Sequence, residues 1–224
     1  MSKRFFSKGK GGARKVIPLT KGWGKKKRLA LAPFDWWKGV PGAVRIMDAL
    51  ENAYAVVLDQ EDLLEMDVHG IFKEDIEKIP ELEEIKKQLN ATTTALKDKV
   101  VPALNDVIGL IRYSRKMTGG LGVPIQNLEA QFWAAMHDAF AAQEGIEKIM
   151  KKRNDSTVTT SEGYSLASMS ADINDATTEI ESAMKRVKRT FIETRKEDYQ
   201  KVKERRKEWM QDGKLTVAVT FNPP

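Results

Sequence analysis

The stretch INDATTEIESAMKRVKRTFIET, residues 173–194, decides the fold. Ile173, Thr177, Ile180, Met184, Val187, Phe191 and Thr194 recur at alternating spacings of four and three, the seam of a heptad helix, with mostly polar residues between them. A sparser stripe of Tyr199, Val202 and Trp209 follows, and Gly213 is a natural stop. The helix expected over residues 169–213 is about 65 Å long at ~1.5 Å per residue. That exceeds the diameter of a compact domain of this size, so the chain reads as elongated.

Towards the N-terminus, residues 153–168 are rich in Ser, Thr, Asn, Asp and Gly and read as a loop. A helix before it, from Pro124 to Lys152, places Leu128, Phe132, Met136, Phe140, Ile146 and Met150 at core spacing, with Trp133 beside the stripe. The run Thr118-Gly119-Gly120-Leu121-Gly122-Val123-Pro124 predicts a break and a hinge at 118–124. Upstream, Leu82, Ile85, Leu89, Leu96, Val100, Leu104, Val107 and Ile111 form one stripe from Pro80 to Met117. Pro102 lies inside it and should kink the helix or split it. The first helix runs from Pro41 to Met66, with Val44, Met47, Leu50, Tyr54, Val57 and Leu64 near one face. Gly70 ends it, and Lys73 to Lys78 is a short helical turn. The expected body is therefore all-α, an elongated bundle of three to four long helices over residues 42–152 and 169–213, with coiled-coil character. Residues 33–41 form an aromatic linker that includes Trp36 and Trp37.

Residues 214–224 change character. Leu215 to Phe221 alternates apolar and β-branched polar residues, which reads as one strand. With no second strand in the sequence, its backbone groups need a partner from another chain. Val217, Val219 and Phe221 are then expected partner contacts, as are the seam residues Ile180, Met184, Val187 and Phe191, while Trp36 and Trp37 are expected to plug the arm onto the bundle or onto a partner. A frayed tail is the plainer reading of the same segment.

The formal charge of +6 conceals a segregation. Residues 1–34 hold Lys3, Arg4, Lys8, Lys10, Arg14, Lys15, Lys21, Lys25, Lys26, Lys27 and Arg28 and no acid. Twelve basic and six acidic residues occupy 185–214, which leaves −11 for residues 35–184. Glycines 9, 11, 12, 22 and 24 space the first cations, so residues 1–32 read as an extended basic arm. Such an arm can follow a line of phosphates, and Phe5, Phe6 and Trp23 can stack on unpaired bases. In composition it resembles the tails of ribosomal and viral genome-packaging proteins. Nucleic acid is the expected partner, with self-association or protein contacts through the helices.

The competing reading is a membrane surface. Phe34, Trp36, Trp37 and Val40 beside Lys38 suit an interface with anionic lipid, and the layout of a basic segment before long helices resembles the BAR class of membrane-bending dimers. The arm lacks the amphipathic period of an inserted helix. No apolar h-region and no membrane-spanning run are present, so a cytoplasmic or virion setting is expected. An organellar transit peptide competes, although Lys and Gly dominate where Arg and Ser would.

Catalytic signals are sparse. There are no cysteines and only His69 and His137, without metal-ligand spacing. Lys8 to Lys15 fails the spacing of a phosphate-binding loop. The acids from Asp59 to Asp67 and Glu81, Glu83 and Glu84 read as solvated helix faces. The expectation is a non-catalytic assembly component without cofactor or metal.

Overall fold

A computed structural model describes residues 36–114, 116, 118–153, 158–161 and 163–211, and these are almost entirely helical. The basic arm and the strand at 215–221, with Val217, Val219 and Phe221, lie outside the described residues. A 3-10 turn, Trp36–Gly39, leads into α1, Pro41–His69. Then come α2, Lys73–Lys78, and α3, Glu81–Ala95. A π-helical turn, Leu96–Val100, joins α3 to α4, Val101–Ser114, and α5, Thr118–Arg153, and α6, Leu166–Gln211, complete the chain.

Long-range pairs fix the direction of each helix. Along α1 and α6, Arg45 meets Glu197, Gln60 meets Glu179 and Gly70 approaches Met169, so the two run antiparallel. Lys152 on α5 reaches Glu81 on α3, and Gly145 faces Ile85. Lys188 on α6 reaches Glu129 on α5, and Arg112 on α4 reaches Glu51 on α1. The continuous rod α3–π–α4 therefore alternates in direction with α1, α5 and α6 around one core. The near pole holds Trp36, the end of α4 and the start of α5. The far pole holds the end of α1, α2, the start of α3 and the start of α6.

The heptad seam is correct as a face. Ile173, Thr177, Ile180, Met184, Val187, Phe191 and Thr194 are all buried. Its expected role in partner contact is corrected for Ile180, Met184, Val187 and Phe191. These side chains join the chain's own core, because α6 packs on α1 and α5.

Pro102 neither splits the rod nor ends it. It lacks an N–H, so the carbonyl four residues back loses its donor. The π turn falls just before it, and Val101 N–H bonds Leu96 O across that turn. Thr92, Leu96, Val100 and Leu104, all buried, are spaced by four three times in succession. That run has one residue more than an α-helix needs for three turns, which a π turn absorbs.

The break expected at 118–124 is also corrected. Those residues are the first turns of α5, and the break falls earlier, between Ser114 and Thr118. Thr118, Leu121, Ile125 and Leu128 are buried at helical spacing. Three helical glycines cost about 1 kcal/mol each relative to Ala. Burying Leu121 and Ile125 contributes about 1.5–3 kcal/mol apiece, enough to offset that cost. Phe140 is a third correction: it is exposed, and Ala139 and Ala142 face the core instead.

At the far pole, Asp75 ties two connections. Its Oδ2 accepts the Phe72 N–H at 3.0 Å, and its Oδ1 accepts both the Ser161 N–H at 2.7 Å and the Ser161 hydroxyl at 2.6 Å. The turn beyond Ser161 closes through Gly163, whose φ of 85° suits a residue without Cβ. Ser165 Oγ then accepts the Ser168 N–H at 2.9 Å, an N-cap that starts α6 at Leu166, ahead of the expected 169.

Candidate nucleic-acid interface

Two basic segments of the sequence adjoin elements of the near pole. The first is the arm, whose chain enters through the turn Trp36–Gly39. Trp36 Nε1 donates to Ile111 O at 2.8 Å. The Trp37 ring lies 5.7 Å from Lys38 Nζ and 5.9 Å from Arg112 Cζ, cation–π distances on a half-buried face. Arg112 also pairs with Glu51, and both side chains are only about one-seventh exposed (14% and 15%). The tryptophans, expected to plug the arm onto the bundle or a partner, dock on the end of α4. They fix where the arm leaves the body.

The second segment is the end of α6. Its last anchors are Thr194, buried beside Gly42, Glu197, bonded to Arg45, and Asp198, which accepts the Thr118 hydroxyl at 2.9 Å. Glu197 holds the Arg45 guanidinium above its ordinary pKa, and Arg45 holds Glu197 below its own. Thr118 is the first residue of α5 and Pro41 the first of α1, so residues 199–211 run past both neighbours. At ~1.5 Å per residue this overhang is about 20 Å long.

Residues 199–208 are all exposed. Lys201, Lys203, Arg205, Arg206 and Lys207 stand against Glu204 and Glu208, a net of +3. On the helix, Lys196, Lys203 and Lys207 share one side and Lys201 and Arg205 another. Tyr199 and Val202, 67% and 65% exposed, form an apolar strip between cations. These overhang cations were visible in sequence only as part of a basic end. The signal for their isolation is that the seam position after Thr194 falls on Asp198, followed by Lys201 and Arg205.

The eleven arm cations from Lys3 to Arg28 lie outside the described residues. Trp36, the first described residue after them, lies at the pole from which the overhang projects. The acids of the body gather at the opposite end. Residues 57–90 hold eleven Asp and Glu against four Lys, and residues 166–184 hold four acids and no Lys or Arg.

Not all of those acids are solvated, which corrects the reading of the Asp59 to Asp67 cluster. Glu61 and Asp67 are each 2% exposed. Glu61 lies between Val57 and Leu64 on the apolar stripe, where burial raises its pKa and Lys97 Nζ at 3.9 Å lowers it. Asp67 follows Leu64 by three. Burial, with Asp172 nearby, pushes its carboxyl up to about 7, and its Oδ2 has no hydrogen-bond partner. Glu61, Asp62 and Glu65 present carboxylate oxygens within 4.8 Å of one another, the grouping among the described residues closest to a metal-ligand set. Lys97 supplies its counter-charge. His69 and His137 are both exposed, with only carboxylates on their own helices nearby.

Among the described residues no helix is long and apolar enough to cross a membrane. No protein-family model matches the chain, and no curated protein or solved structure is detectably similar to it.

Proposed function

We propose that the chain is a non-catalytic component of a nucleic-acid-containing assembly, and that the near pole is its nucleic-acid-binding end. The position of Trp36, where the chain continues from the basic arm, at the pole from which the overhang projects supports the reading. Arm and overhang together carry fourteen net positive charges, eleven from the arm and three from the overhang, and the far pole is rich in acid. A polyanion is attracted to one end and repelled from the other, so the charge pattern orients the rod on its partner. The helical body acts as a spacer and contact surface. Phosphate contacts from an extended arm and a free helix carry little sequence information, so binding is expected to be strong at low salt and weakly selective.

The experiment compares the full chain with a chain lacking residues 1–32 for binding to RNA, DNA and anionic vesicles across a salt series. The proposal expects nucleic-acid binding that weakens steeply with salt and drops on removing the arm. Binding to vesicles alone, lost when Phe34 to Lys38 are removed, would replace it with the membrane reading.

A further inference from the structure

The polarity of the rod has a consequence that does not depend on nucleic acid. The overhang carries exposed Lys201, Lys203 and Lys207 around Tyr199 and Val202, and no helix among the described residues covers them. The far pole presents the complement. Asp59, Asp62, Glu74, Glu83 and Glu84 are exposed there, and Met66, 56% exposed, shares the outer face of α1 with Asp59 and Asp62 at spacings of three and four. Lys152 at the end of α5 is engaged by Glu81 and Lys87 by Glu84, which leaves Asp59, Asp62, Glu74 and Glu83 without an ion pair among the described residues.

We propose that the chain assembles head to tail with copies of itself, the basic overhang of α6 in one copy docking on the acidic far pole of the next. Tyr199 and Val202 would pack against Met66, with Lys203 and Lys207 facing Asp59 and Asp62. The surfaces are different patches at opposite ends, so the contact is heterologous and repeats into an open row rather than closing as a two-fold dimer. A second copy is favoured over an unrelated acidic protein because one chain carries both complementary ends, aligned with its long axis. One face of a helix about 20 Å long buries less than a standard interface of ~1,200–2,000 Å². The association is therefore weak and sensitive to salt.

Sedimentation velocity on the nuclease-treated full chain tests this, at low and high salt and over rising concentration. At low salt the average mass should grow with concentration past twice the monomer value, and high salt should return it to the monomer. Two charge-reversed variants sharpen the test: Lys201→Glu/Lys203→Glu/Lys207→Glu on the overhang, and Asp59→Lys/Asp62→Lys on α1. Each alone should be a monomer with unchanged helicity, and mixing the two should restore assembly. A monomeric wild type at low salt overturns the proposal. So does an α1 variant that still assembles, because overhangs paired with each other would not need the far pole. A mixture that stays monomeric overturns it too, since it removes the charge pairing from the account.

Discussion

Gly42 of α1 lies directly beneath Thr194 of α6: a Cβ placed on Gly42 would stand 2.6 Å from Thr194 Cγ2. Thr194 is 1% exposed and is the last seam residue before the overhang, so this approach sets the register of the two helices at the near pole. Gly42→Ala gains up to about 1 kcal/mol in helix propensity and loses more by overpacking, about 1–3 kcal/mol. We expect a net loss of about 1 kcal/mol in urea unfolding. Thr194→Ser in the same chain, which deletes Cγ2, should recover most of it. Additive effects of the two substitutions would contradict the close approach.

The two ion pairs of this pole should behave differently. Arg45 and Glu197 are bonded through both terminal guanidinium nitrogens but are nearly half exposed, so Glu197→Gln should cost little, less than Glu51→Leu. Glu51→Leu strands the shielded Arg112 guanidinium against Trp37 and should cost about 3 kcal/mol. Equal costs from chemical denaturation would mean that Glu51 and Arg112 are better solvated than their burial indicates.

Asp67 predicts a stability that declines with pH. Its folded pKa of about 7 lies above the 3.8 of an unperturbed aspartate, so between those values the native state holds a proton that the unfolded state has lost. Stability contributed by this carboxyl is intact below about pH 4, falls as pH rises through 4 to 7, and is fully lost above about 7. The loss is on the order of 2 kcal/mol once solvent relaxation is allowed for. Asp67→Asn should flatten that slope and raise the melting temperature at pH 8 while changing little at pH 4. An unchanged slope would place the ionisation elsewhere.

Pro102→Ala should stabilise the rod by about 1–2 kcal/mol, because the π turn already relieves part of the ~3 kcal/mol cost of proline in a helix interior. The π turn itself should survive, since the spacing of Leu96, Val100 and Leu104 demands the extra residue. Backbone amide exchange at Val101 reports on it directly.

These cases show how far the sequence was legible. Apolar spacing located the core faces of all the long helices, because burial depends mainly on periodicity. It failed where local propensity and tertiary packing conflict, as at Gly119 to Pro124, where Leu121 and Ile125 draw a glycine-rich segment into α5. It also could not tell a seam closed within the chain from one closed by a partner: Ile180, Met184, Val187 and Phe191 read the same either way. Glu61 and Asp67 were misread because acids in a charged run look solvated until the fold places Lys97 of the π turn and Asp172 of α6 beside them. Composition found both basic segments, but only the antiparallel path of the helices puts Trp36 and the overhang of α6 at one end.

The most direct measurement of the central claim is the salt dependence of binding to a single-stranded RNA of mixed sequence. It compares the full chain with Lys201→Gln/Lys203→Gln/Arg205→Gln/Lys207→Gln. If arm and overhang act on one polyanion, the wild-type plot of log affinity against log salt is steep. The variant should lower that slope by about 1–2, because only about half of four cations spread around a helix can face one strand, at ~0.7 per phosphate. An identical slope in the two proteins, or a slope near zero in both, would contradict a single nucleic-acid-binding pole.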